Sequence, residues 1–343
     1  MSDKISTLNG KSQDTEEWFD LVFTRPLGQM WANLFARLGV HPNVVTVLGI
    51  VLGVMASFCY YFEDNYSMTL LGIFLLVWAN LYDSADGQLA RMTGQKSALG
   101  RALDGASADI IFFAVYFFIS LRLSPQRLPF GIDEVMCSRN PIPHVTDGTF
   151  GIWIWLLAAV SGFGGHSRQC QLADYYRNIH LWFVKGEDGS ELDNYTTLLH
   201  DYHDMKWKDG FVMKLYMFFY TRYTHAQESR TPAFQAFKAH LRQQFGPSSA
   251  DIPEEVRKAF RKGSLPLMKY TNILTFNCRA FSLYFSLLLM MPWLYFIIEI
   301  FLFTPICWQM QIRHERLCRC LDASFWLLQV SRSRRKVNGE WGA

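Results

Sequence analysis

The stretch "NLYDSADGQLARMTGQKSALGRALDGASAD", residues 80–109, sets Asp83, Asp86, Arg91, Arg101, Asp104 and Asp109 between two apolar runs. Each run is long enough to enter a bilayer. Charge beside hydrocarbon is costly, so side chains kept there call for a use. Before this stretch come two charge-free runs, "VVTVLGIVLGVMASFCYYF" at 44–62 and "YSMTLLGIFLLVWANLY" at 66–82. A third run follows Asp109 to about Leu121, and a fourth, "TFGIWIWLLAAVSGFGG", covers 149–165. From Tyr270 to Ile312 the only charges are Arg279 and Glu299, a length that fits two spans turned at Pro292.

These runs predict an all-α integral membrane protein with six transmembrane helices. Half of the 343 residues are hydrophobic and 16% are aromatic, but mean hydropathy is barely positive, so the apolar residues are segregated into spans. Lys and Arg are absent near 63–65 and 290–293 and frequent in 83–104, after 165 and in "SRSRRK". The positive-inside rule then places both termini and the Asp-rich loop on the cytoplasmic side. The expected order is a polar segment at 1–17 without a signal peptide, then 18–177 with an interfacial helix and four spans. A helical cytoplasmic insert follows at 178–268, spans five and six at 269–312, and a basic tail at 313–343. Within the insert, "TPAFQAFKAHLRQQFG" and "IPEEVRKAFRKG" read as amphipathic helices, and "DGFVMKLYMFFYTRYTH" as buried or membrane-apposed. Seven scattered cysteines make no disulfide framework. The net charge of +3 suits an anionic leaflet or anionic substrates, and no basic stripe points to nucleic acid.

Asp83, Asp86 and Ala90 follow helical spacing and share a face. Asp104 opens the next helix, while Gly87 and Gly100 allow a bulky group to come close. Three carboxylates from two helix ends make a cage of hard oxygens, which repel one another unless cations lie between them. Mg²⁺ or Mn²⁺ suits such a cage and brings phosphates with it, which Arg91 and Arg101 could face. The alternative is a solvated loop whose Asp and Arg side chains pair.

The same residues resemble a known family. Asp83, Asp86-Gly87, Ala90-Arg91, Gly100 and Asp104 stand at the spacing of the CDP-alcohol phosphotransferase signature, and "HPNVVT" at 41–46 resembles the start of that family's first membrane helix. The resemblance implies transfer of a phosphatidyl group from a CDP-linked lipid to an acceptor alcohol, with release of CMP, by a homodimer holding two Mg²⁺ or Mn²⁺ ions per site. It makes Asp83, Asp86 and Asp104 metal ligands and lines CDP with Gly87, Ala90, Arg91 and Gly100. It also expects a last Asp, a metal ligand and the general base, at 108. Here Ala108 stands in that place and Asp109 follows, about 100° further round a regular helix. A one-residue π-bulge near Gly105–Ser107 would return Asp109 to the cage as metal ligand and base. Without it the base is missing, replaced or supplied by Asp86.

Arg279, inside the fifth span, together with Arg168 and Arg177, suggests an anionic acceptor. Members of the family that use inositol phosphate have basic residues at comparable places. "HDYHD" at 200–204 offers weak metal-ligand spacing, with a solvated segment as the simpler reading. Two other functions compete. A cation transporter would be expected to place its carboxylates at the midplane on broken helices. A pseudoenzyme of the same fold would bind the CDP-lipid without activating an acceptor.

Overall fold

A computed structural model describes residues 14–62, 65–95, 98–207 and 210–340. Among them there is no strand beyond one isolated antiparallel bridge, Arg127 to Thr149, and the fold is all-helical. The helices are α1 (Arg25–Arg37), α2 (Pro42–Cys59), α3 (Tyr66–Thr93) and α4 (Ala98–Leu123). Helix α5 (Gly151–Ala159) continues through a π-helical segment, Val160–His166, into α6 (Ser167–Lys185). Then come α7 (Tyr195–Asp204), α8 (Phe211–Ser229), α9 (Pro232–Phe245) and α10 (Glu254–Ser264). Helix α11 (Phe276–Leu288) precedes α12 (Trp293–Ile298), which runs through another π segment, Glu299–Phe303, into α13 (Thr304–Glu340).

Among the described residues four helical stretches are long and apolar enough to cross a bilayer: Pro42–Cys59, Tyr66–Thr93, Leu103–Leu123 and Trp293–Phe325. The fourth and fifth expected spans are helical but short. Helix α11 has 13 residues, about 20 Å at 1.5 Å per residue, against a hydrocarbon core of about 30 Å. The 149–165 run ends in the π segment and passes without a break into the polar helix α6.

The chain divides into two compact units. One comprises Glu17–Gln169 and Phe276–Thr304, the other Met1–Glu16, Cys170–Thr275 and Pro305–Ala343.

In the first unit α2 packs on both α3 and α4. The sequence dictates this through a stripe of small residues, because α2 buries Thr46, Gly49, Gly53, Ala56 and Ser57 at helical spacing. Lipid tails are as apolar as leucine, so membrane helices associate where small side chains let backbones approach. A Cβ on Gly53 would stand 2.5 Å from Ile111 of α4, and one on Gly72 of α3 would stand 2.4 Å from the Tyr60 ring. His41 caps α2 by accepting from the Asn43 amide, with Pro42 at the first helical position. Helix α1 lays Ala32 and Phe35 on Ala85 and Leu89 of α3.

In the second unit α9 buries Phe234, Phe237 and Leu241, and α10 buries Val256 and Phe260. Phe260 stacks on Phe183 with ring centroids 3.8 Å apart. The start of the described chain is tied to this core. Asp14 accepts two bonds from the Arg261 guanidinium, at 2.7 and 3.0 Å. His180 Nε2 lies 3.3 Å from the same carboxylate and Nδ1 lies 2.8 Å from Ser264 Oγ. A carboxylate only accepts, so Nε2 carries the proton and Nδ1 accepts from the serine hydroxyl.

Burial pushes the His180 pKa below its usual value against the pull of Asp14. Hydrogen bonding to Arg261 holds the Asp14 carboxyl below the usual carboxylate range. Both folded-state values lie under the unfolded ones, so each group's contribution is present above its unfolded pKa, about 6.5 for His and 3.9 for Asp. Each is lost as pH falls from there through the folded value. The thermal midpoint of the whole protein should therefore drop on acidification below about pH 6.5 and again below about pH 4. In His180→Asn the first drop should be smaller. An unchanged first drop in that variant would contradict this assignment.

Candidate active site

Helix α3 runs past its charge-free stretch to Thr93, which keeps Asp83, Asp86, Gly87, Ala90 and Arg91 on one continuous helix. Their three- and four-residue spacing puts them toward one face. The first turns of α4 bring Asp104 and Ser107 to that face. Carboxylate oxygens of Asp83, Asp86 and Asp104 all lie within 4.8 Å of one another. Asp86 is buried, while Asp83 and Asp104 are exposed.

Two hydroxyls steady the group, and neither stood out in the sequence. Thr46 Oγ1 of α2 donates to Asp86 Oδ2 at 2.5 Å. Ser107 Oγ lies 2.7 Å from the Asp104 carbonyl and 3.3 Å from Asp83 Oδ1, so it links the two helix ends. The signal for Thr46 was its place in "HPNVVT", on the small-residue face of α2. Ser107 was legible only as the residue one turn beyond Asp104. Arg91 folds back over Gly87, with Nη1 3.5 Å from where a Cβ would stand. Gly100 sits half-buried near the start of α4. Three carboxylates this close repel one another, and their hard oxygens and separation fit one coordination sphere of a divalent cation.

Residues 39–140 match the family model of CDP-alcohol phosphatidyltransferase. This segment is a CDP-alcohol phosphatidyltransferase domain. It takes in α2, α3, α4 and all three clustered carboxylates. A stretch of 97 residues is 36% identical to an archaetidylinositol phosphate synthase from Pyrococcus horikoshii, covering 28% of this chain and 49% of that protein. Another of 72 residues is 38% identical to an uncharacterized protein from Aquifex aeolicus, covering 21% of this chain and 35% of that protein. The chain thus spans half or less of the curated relatives it matches. No solved structure matches it. With the apolar helices, the phosphatidyltransferase domain makes this an integral membrane protein.

Asp109 does not join the cluster. Helix α4 keeps α register through Gly105, Ala106 and Ser107, so the expected bulge is absent and Asp109 stays rotated away. Together with His166 it lines a groove on another side of α4. The described residues do contain π segments, but at Asp20–Thr24, Val160–His166 and Glu299–Phe303.

Arg279, expected to bind an acceptor, is instead 1% exposed. Its Nη1 donates to both Glu299 oxygens, at 2.7 and 2.6 Å, and its Nη2 to Gln169 Oε1 at 2.8 Å. His166 Nδ1 lies 3.2 Å from Arg279 Nη1, and Tyr295 donates to Glu299 at 2.8 Å. An arginine so enclosed has its donors committed to the protein. Of the other two arginines, Arg168 is half-buried in the first unit. Arg177 lies in the second, where it donates to Asn272 Oδ1 at 3.5 Å. His200 and Asp204 form an exposed pair one turn apart. All seven cysteines are free thiols.

Breaking a buried pair leaves an uncompensated charge, at a cost of about 3–5 kcal/mol. Arg279→Met should destabilise the protein by that amount in thermal unfolding, and adding Glu299→Leu should recover most of it. A stable Arg279→Met protein with only a raised acceptor KM would restore the binding role.

Proposed function

We propose that this protein makes a membrane phospholipid by transferring a phosphatidyl-type group from a CDP-linked lipid to an acceptor alcohol, releasing CMP. The observation that carries this reading is the convergence of Asp83, Asp86 and Asp104 inside the segment that matches the family. The acceptor we favour is inositol phosphate. The name of the Pyrococcus relative supports it, and Arg168, in the unit that holds the carboxylate cluster, is the basic residue we assign to its phosphate.

In this mechanism Asp83, Asp86 and Asp104 would hold Mg²⁺ or Mn²⁺. A cation held there would supply positive charge to the donor diphosphate. Among the described residues the cluster has three carboxylates, and the family implies a second ion beside the donor phosphates. Gly87 and Gly100 leave the nucleotide room to approach the backbone of α3 and α4. Arg91 pairs with a phosphate oxygen as a fixed planar cation. Thr46 keeps Asp86 oriented. The acceptor oxygen bonds to the lipid-side phosphorus, the bond from that phosphorus to CMP breaks, and the acceptor proton passes to a carboxylate. With Asp109 turned away, we assign that proton to Asp86. The active site and both termini face the cytoplasm in this reading, because Lys and Arg gather on that side.

The decisive assay follows CMP release from a CDP-linked lipid with Mg²⁺ and a panel of acceptors. Release should require the acceptor, be fastest with inositol phosphate, and stop in EDTA. Asp83→Asn should lose orders of magnitude in turnover, and Asp86→Asn about 10²–10⁴-fold or more. Donor binding without CMP release for any acceptor would mark a pseudoenzyme. Persistent turnover in EDTA would defeat the metal role.

A further inference from the structure

Between α4 and the α5–π segment lies a groove of about 560 Å³. The two helices run antiparallel along it, since Phe112 packs on His166 at one end and Phe117 on Trp155 further along. Its walls are aromatic and aliphatic, and Phe113, Phe117 and Phe163 are exposed along its open side. From Asp109 to Ser120 the lining covers about 16 Å of helix. That is roughly half of a hydrocarbon core about 30 Å thick, the depth of one leaflet. The groove is polar at the end nearer the carboxylate cluster, where Asp109 meets His166 and Ser167.

We propose that this groove binds one acyl chain of a membrane phospholipid whose primary ammonium headgroup is held by the Asp109 carboxylate. The depth fits a single chain, and the exposed aromatic rim opens toward lipid. A carboxylate beside an apolar wall is costly without counter-charge; His166 acts on Asp109 from the same end of the groove, but its Nδ1 is held by Arg279 and lies near Glu299. A primary ammonium supplies both charge and N–H donors. A quaternary ammonium lacks the donors, and an anionic headgroup is repelled. The lipid is not the CDP-linked donor. Asp104 and Asp109 are five residues apart on a regular helix, which turns their side chains about 140° from each other. The site therefore stands independently of the proposed catalytic reading.

The test reconstitutes the full chain in phosphatidylcholine nanodiscs. These carry a photoreactive acyl chain on phosphatidylethanolamine, on phosphatidylcholine or on phosphatidylglycerol. Labelled residues are then mapped by mass spectrometry. Phe74 of α3, 53% exposed, reports ordinary annular lipid. Labelling at Phe113 and Phe163 should exceed that at Phe74 by about tenfold for the ethanolamine lipid, a difference of about 1.4 kcal/mol, and fall for the other two. A Cβ on Gly162 would first meet the Tyr116 ring, at an ordinary contact distance of 3.8 Å, so Gly162→Leu directs bulk into the groove and should reduce labelling to the Phe74 level. Asp109→Asn should keep chain labelling and lose the headgroup preference, which tests the proposal even if Gly162→Leu fails to fold. The proposal is overturned by labelling equal to Phe74, by the absence of headgroup preference in the wild type, by labelling indifferent to Gly162→Leu, or by crosslinks joining two copies of the chain through this face.

Discussion

Carboxylates on two membrane helices converge only if the helix backbones come close, and here that closeness rests on residues without bulk. Gly53 admits Ile111 of α4, and Gly72 admits Tyr60 at the end of α2. Any larger side chain would push the helices apart by more than the few tenths of an ångström a packed interior yields. The same approach brings Thr46 of α2 within 2.5 Å of Asp86 on α3. The chemistry at the helix ends is thus set by the packing further along the helices, and the small-residue face of α2 supports both.

A second device holds the far side of the first unit. Arg279 and Glu299 bury opposite charges between α11 and the π segment after α12, and His166, at the end of the π segment after α5, closes the group. In each π segment one additional residue is accommodated per turn, which re-aims the side chains at its end. His166 is the last residue of its π segment, and Glu299 is the first of its own. The motif "VSGFGGH" can adopt this register because Gly162, Gly164 and Gly165 put no side chains in the widened turn. Charge pairing and helix register are therefore two parts of one packing solution.

Much of this was legible in the sequence. The spacing of Asp83, Asp86 and Asp104 identified the cluster because α3 continues as one helix beyond its apolar run, so the residue count alone fixes the face. The amphipathic helices at Pro232–Phe245 and Glu254–Ser264 were legible from Pro and Gly at their ends and from their apolar period. What escaped depends on contacts distant in the chain. Arg279 and Glu299 were both visible as charges in an apolar run, but twenty residues of separation do not reveal that they bond. The direction of Asp109 turned on whether one helical turn slips, and local sequence permitted either. The four-span count reflects helix length, which the apolar runs at 149–165 and 270–289 did not convey: the first continues into polar sequence, and the second breaks before α11.

The central claim is that three carboxylates brought together by α3 and α4 hold a divalent cation. Electron paramagnetic resonance of Mn²⁺ added to the full-length protein measures this directly, without any turnover. The account predicts loss of the free-ion signal on titration with protein, and return of that signal in Asp86→Asn and in Asp104→Asn. Undiminished free Mn²⁺ in the presence of the wild-type protein, or equal binding by the two variants, would contradict it.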